Sequence, residues 1–132
     1  MELSEIKEFF GADKFAMGIG IEIESVDETG AVCTLIAGDG HMNAAGVVQG
    51  GVIYTLADFA FAVAANADGI MTPTITGNIS YFRGAKGGRL TAKASLLHKG
   101  GTICAYSVNV TDESGALLAE ATVTGARKRP KV

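Results

Sequence analysis

The segment HMNAAGVVQGGVIYTLADFAFAVAANADG, from His41 to Gly69, constrains this chain more than any other. It is apolar, small or aromatic almost throughout, and away from its ends it holds one charged side chain, Asp58. The run from Ala44 to Ala67 is long enough to raise the question of a membrane span. It contains Gln49, Gly50, Gly51, Asp58 and Asn66, with no Lys or Arg closely flanking it, and a charge at mid-helix is disfavoured in lipid. The segment therefore reads as a helix from near Gly50 to near Asp68–Gly69, buried in protein. A helix that is apolar nearly all round needs cover on every side. One small sheet covers one side only, so the helix points to an oligomer whose partner completes the core.

The remaining elements follow from periodicity and turn residues. LSEIKEFF places Leu3, Ile6, Phe9 and Phe10 on one helical face, with Ser4 as cap and Gly11 as stop. MGIGIEIESV alternates Ile19, Ile21 and Ile23 with polar or small residues and predicts a strand. DETG predicts the turn of a hairpin, and AVCTLIAGD its return strand. A loop over Gly40 to Val48 leads into the central helix, and MTPT ends the helical pattern. Four strand-like runs follow, TITGNISYFRG, GRLTAKASLLHKG, TICAYSVNVTD and ALLAEATVTGARK, separated by AKGG, HKGG and DESG. The expected order is a hairpin, one long helix, then an antiparallel meander. Runs of about ten residues span roughly 33 Å, so the fold class is α+β, a long curved antiparallel sheet against one helix.

A chain of 132 residues with 48% apolar composition supports a single domain over 1–132 with a substantial core. The net charge of −3 excludes a general basic footprint for nucleic acid. The one basic cluster, ARKRPKV, reads as a solubilising tail. Cys33 and Cys104 lie in apolar strand-like runs with no metal or redox spacing, so we read them as core residues in a reducing compartment and expect no metal. The acidic, mixed start MELSEIKEFF is unlike a signal peptide, and the expected location is cytoplasmic.

Two features of the central helix carry chemistry. Its start, QGG, offers unpaired backbone N–H groups at the positive end of the peptide dipole, and no Cβ blocks a carbonyl oxygen from approaching Gly50. Such a donor is worth about 3 kcal/mol to an oxyanion-like transition state. Asp58, in apolar surroundings, is a carboxylate whose burial raises its proton affinity and makes it a better base. Asp58 lies eight residues beyond Gly50, about 12 Å along a helix, so one helix cannot present both groups to one carbonyl. Two antiparallel copies across a dyad can, Gly50 of one chain meeting Asp58 of the other. A thioester suits so spare a set of groups. Its carbonyl is weakly resonance-stabilised, its thiolate leaves without a proton, and it needs only an oxyanion donor and one carboxylate as base or nucleophile. Asn43 is a candidate to orient water or the carbonyl, and Thr74 and Thr76, on one strand face, are candidates for the same task.

HMNAAGVVQGGVIYTLADFAFAVAAN resembles the central motif of hotdog-fold acyl-CoA thioesterases, most closely the phenylacetic-acid-degradation group, whose pattern is N-x-x-G-x-x-H-G-G followed by L-A-D. The likeness continues through NISYFRGAKGGRLTAKASLLHKGG and VNVTDESGALLAEATVTG, from about Phe15 to Lys128. It implies a hotdog fold with the sheet wrapped round the helix, and dimers that pair into tetramers. It implies Asp58 as nucleophile or base, the Gly50 amide as oxyanion donor, and Asn43 positioning water or carbonyl. A strand hydroxyl assists, Thr74 or Thr76. Gly51 joins the substrate site, with Arg83 and Lys86 near the CoA phosphates. No cofactor is implied, since CoA is part of the substrate. One position departs from the pattern: the His before the glycine pair is Gln49, which donates hydrogen bonds but does not titrate near neutrality. Gln49 supports a second reading, a non-catalytic acyl-CoA binder on the same fold. The lone Asp58 weighs against it, because a binder gains nothing from a buried carboxylate.

Overall fold

The computed structural model describes residues 1–128; residues 129–132, the end of the basic tail, lie outside the described residues. Two short helices, α1 (Leu3–Phe10) and α2 (Lys14–Ile19), precede the hairpin β1 (Glu22–Asp27) and β2 (Gly30–Ala37). A 3₁₀ turn over Asp39–His41 leads to the long helix α3 (Gly50–Asn66). The strands β3 (Thr74–Tyr81), β4 (Gly88–Lys99), β5 (Ile103–Thr111) and β6 (Leu117–Ala126) complete one six-stranded antiparallel sheet in the order β1-β2-β4-β5-β6-β3.

This is the expected sheet around one central helix, with one topological correction. β3 does not open the meander. It lies at the far edge, paired with β6, while β2 takes the place beside β4. The stretch 82–87 between β3 and β4 is too long for a tight hairpin, and it carries the chain from one edge of the sheet to its middle.

α3 buries Ile53, Leu56, Ala57, Phe59, Ala60, Phe61, Val63, Ala64 and Ala65. The sheet meets it with alternate residues, Leu90, Ala92 and Ala94 of β4 and Tyr106, Val108 and Val110 of β5, all buried. The alanines let the backbones approach closely, and the Phe61 and Tyr106 rings meet edge to face at 5.6 Å. Each large side chain buried this way contributes roughly 1.5–3 kcal/mol. Cys33 and Cys104 are unpaired and buried in this core, and burial pushes the Cys33 thiol up to about 12. No helix among the described residues is long and apolar enough to cross a membrane.

Part of the helix cover expected from a partner comes from the chain itself. The Phe10 ring of α1 packs on Phe59 at 5.3 Å, and Ala16 of α2 is buried against the same side. The uncovered remainder is a narrow stripe with Gly51, Thr55, Asp58 and Ala62 along it. α2 also corrects the reading of the first strand. Ile19 ends α2, whose start is capped by Asp13 and whose end is closed by Gly20 at φ 91°; the strand begins only at Glu22. In α1 the cap is Glu2 rather than Ser4, its N–H donating to Glu5 Oε1 at 3.3 Å. Only Ile6 and Phe10 of the predicted face are buried. The tail reading changes at one residue: Arg127 is buried, with Nη1 3.1 Å from Asp68 Oδ2, and Lys99 Nζ lies 3.2 Å from the same oxygen.

Candidate active site

The loop before α3 is built by its own backbone and by Asn43. Asn43 Oδ1 accepts from the N–H of Ala45 at 2.9 Å and of Val47 at 3.2 Å, while Gly46 turns the chain at φ 81°. The loop is pinned outside by Val48 N–H donating to Ala85 O and by Gln49 N–H donating to His41 O, both at 2.8 Å. Asn43 thus spends its carbonyl oxygen on the loop and keeps its NH2 group to donate. His41 is also committed: its Nδ1 accepts from Gly38 N–H at 3.0 Å and its Nε2 donates to Ile19 O at 2.8 Å, tying the loop to α2.

Gln49 is the N-cap of α3. Its Oε1 accepts from the N–H of Gly51, and its backbone oxygen accepts from Val52 and Ile53. Because that oxygen must face an N–H, the side-chain NH2 is the part left free to donate. Gly51 N–H is therefore consumed by the cap, whereas Gly50 N–H has no acceptor among the described residues. The Gly50 position is crowded on another side. Tyr81 Oη donates to Gly50 O at 3.0 Å, and a Cβ on Gly50 would stand 3.4 Å from the Tyr81 ring. Tyr81 escaped sequence reasoning because nothing in its neighbourhood signals a contact 31 residues back along the chain.

Asp58 sits two turns further along α3, half-buried, and accepts a hydrogen bond from Thr74 Oγ1 at 3.0 Å. Burial raises its carboxyl above the ordinary carboxylate range. The Thr74 hydroxyl opposes that rise, and the charge of Asp13 adds to it. Tyr54, one turn earlier, is raised as well, by burial and by Asp58. The expected equivalence of Thr74 and Thr76 fails. A bulge between them puts Thr74 opposite Gly125 and Thr76 opposite Thr124, so the two no longer share a face. Thr74 reaches Asp58, and Thr76 Oγ1 pairs with Thr124 Oγ1 at 2.6 Å.

Two cavities line the exposed stripe of α3. One, about 230 Å³, is formed by Asp13, Phe15, Ala16, Tyr54, Thr55, Asp58, Phe59 and Ala62. The other, about 450 Å³ and mostly apolar, has Ile19, Met42, Gln49, Gly51 and Val52 in its wall. Phe15, Tyr54 and Thr55 belong to both, so they read as one groove running from the start of α3 to Asp58. Tyr54 is seated by Gly77 of β3, where a Cβ would come within 2.2 Å of the phenol oxygen. The groove's outer wall is α2, which the sequence reading lacked. Phe59 and Phe61 belong to the core, and Met71 is exposed beside Lys128, away from the groove. Arg83 and Lys86 are exposed on the 82–87 segment, and neither touches Asp58. His98 is exposed on β4.

The sequence pattern of the thioesterase superfamily matches residues 45–119, which include all of α3. The acyl-coenzyme A thioesterase PaaI of Escherichia coli is 32% identical over 108 residues, 81% of this chain and 70% of that protein. The structure of the E. coli PaaI protein from the phenylacetic acid degradation operon superimposes with a TM-score of 0.90 at 27% identity, covering 98% of this chain and 99% of that one. A mutant of the phenylacetic acid degradation protein PaaI from Thermus thermophilus gives a TM-score of 0.83 at 31% identity, over 87% and 99% of the two chains.

Proposed function

The chain belongs to the thioesterase superfamily and has its hotdog fold, and on that premise we propose that it hydrolyses acyl-CoA thioesters to the free acid and CoA. The observation that carries this reading is that α3 holds two available groups: the Gly50 N–H, with no acceptor among the described residues, and Asp58, held by Thr74 in a groove that raises its proton affinity. In the reaction Asp58 takes a proton from water as the water oxygen bonds to the thioester carbon. The carbonyl oxygen, now negative, accepts a hydrogen bond from the Gly50 N–H. The C–S bond then breaks, its electron pair leaves with the CoA sulfur, and the proton on Asp58 returns to solvent or to that thiolate. The raised proton affinity of Asp58 suits it to this role as base. Gln49 fits as a second donor through its free NH2, a role that needs no titration. Asn43 fits as a positioning donor, and Arg83 and Lys86 as exposed cations for the CoA phosphates. CoA arrives as part of the substrate, so no cofactor enters.

Hydrolysis of benzoyl-, acetyl- and octanoyl-CoA, followed by thiol release, tests the reading. Turnover of at least one is expected. Saturable binding of all three without thiol release would instead establish the non-catalytic binder.

The same proposal places the working site between two copies of the chain. β3 is an edge strand whose outer side is unpaired among the described residues. It is exposed along nearly its whole length, with Ile75 at 52%, Tyr81 at 49% and the adjoining Phe82 at 62%. An open apolar edge of this kind is covered in stable proteins. Within one chain, eight residues and about 12 Å of helix separate Asp58 from Gly50. Mixing is decisive. Asp58→Asn and Gly50→Val are each expected to keep no more than about a hundredth of wild-type activity alone. Their randomly reassorted dimers should recover about one quarter of wild-type activity, since half are mixed and each mixed dimer holds one intact site. No recovery, in a sample shown to have exchanged subunits, would place both groups' roles within a single chain.

A further inference from the structure

We propose that Asp13 is a positioning residue for the reaction, a second carboxylate fixed in the Asp58 cavity that strengthens Asp58 as a base. The inference rests on the thioesterase reading and extends it to a residue on a different element. Asp13 is the N-cap of α2, and its Oδ1 accepts from Ala16 N–H at 3.0 Å. That bond fixes the side chain, while the other carboxyl oxygen has no partner among the described residues. Two residues on, Phe15 of the same helix lines the cavity of about 230 Å³ between α2 and α3 together with Tyr54, and both Asp13 and Asp58 line it too. A negative charge there favours the protonated form of its neighbour.

The groups acting on Asp58 can be named from each side. From α2 comes the Asp13 charge and from β3 the Thr74 hydroxyl; on α3 Tyr54 lines the same cavity, and there the influence runs from Asp58 to the phenol. Burial is the largest influence and Thr74 opposes it; Asp13 reinforces it. Asp13 touches no reacting atom in this arrangement. It acts through the field it sets at Asp58, and that field also disfavours acyl groups that carry their own carboxylate.

Asp13→Asn separates charge from architecture, because Asn caps a helix as well as Asp does. Two readouts are needed, the ¹³C carboxyl titration of Asp58 by NMR, assigned with Asp58→Asn, and the pH–rate profile on the fastest of the three CoA esters. In low salt, Asp13→Asn is expected to move the Asp58 titration and the acidic limb of the profile to lower pH, with the Tm unchanged. At 1 M salt, where screening acts within about 3 Å, the difference from wild type should shrink. Asp13→Ala should move the titration the same way and also lower the Tm, since the cap is lost. A titration and profile unmoved by Asp13→Asn, in an enzyme that turns over, would overturn the inference and leave the thioesterase reading standing. A titration that moves in a protein with no turnover of any ester would overturn both.

Discussion

Asp58→Ala is expected to abolish thioester hydrolysis, and Asp58→Asn to lower kcat by about 10²–10⁴-fold, the usual contribution of a positioned base. Asn keeps an oxygen for the Thr74 hydroxyl and nearly the volume of Asp, so its loss of activity reports the lost base and not a collapsed groove. Stability should move the other way. The folded pKa of Asp58 is raised, chiefly by burial, so its contribution to folding is complete below the ordinary carboxylate pKa and is lost as pH rises through the folded value. At neutral pH the ionised side chain therefore costs stability, and Asp58→Asn should have a higher Tm than wild type. That gain should fade as the pH is lowered into the acid range. Asp27, Asp68 and Asp112 are lowered instead and lose stability in acid, but they do so equally in both proteins, so the difference isolates Asp58. Thermal melts from pH 4 to pH 8 alongside thiol-release assays check both halves. An Asp58→Asn variant that is less stable at neutral pH and still active would show a structural carboxylate.

Much of this site was legible in the sequence because it depends on strong local signals. A long apolar helix interrupted by one Asp, opened by two glycines, fixes a spacing that no folding detail alters. The strands β4, β5 and β6 announced themselves by alternation and by glycine-rich turns. What stayed hidden depends on register and on contacts between distant segments. KFAMGI is under two turns long, too short for helical periodicity to show, and Ile19, Ile21 and Ile23 alternate as a strand would; only the left-handed Gly20 and one further residue, Ile21, separate α2 from β1. Without α2 the groove has no outer wall, and Asp13 has no reason to be near Asp58. The choice between Thr74 and Thr76 turns on a bulge, which two-residue periodicity assumes away. β3 reads like any other strand, yet its place at the sheet edge is set by the long 82–87 segment and by its pairing with β6.

The largest loss of stability is expected away from the site, at Gly30. It closes the first hairpin, where Asp27 Oδ1 accepts from Thr29 N–H at 2.7 Å, Thr29 Oγ1 at 2.6 Å and Gly30 N–H at 3.1 Å. It also opens β2, opposite Ser95 of β4. A Cβ there would lie 1.8 Å from the Ala94 carbonyl oxygen and 2.9 Å from its carbon. Both atoms are backbone, so no rotamer change relieves the overlap. Either β2 moves off β4 or the hairpin rotates, and Leu96 N–H, which donates to Thr29 O at 2.8 Å, is strained in both cases. Overpacking of this severity costs about 3 kcal/mol or more, which lowers the Tm of a chain this size by roughly 10 °C. Gly18→Ala is the matched control. It sits inside α2 with nothing within 4 Å of the added methyl, so it should leave the Tm unchanged or raise it. Because β2 lies near one end of the strand order and β3 at the other, Gly30→Ala should keep its kcat per folded molecule while losing stability. A Gly30→Ala protein that melts with wild type would mean that β2 and β4 do not approach this closely. One that melts early and also loses kcat while still folded would mean that strain at the hairpin travels across the sheet to Asp58.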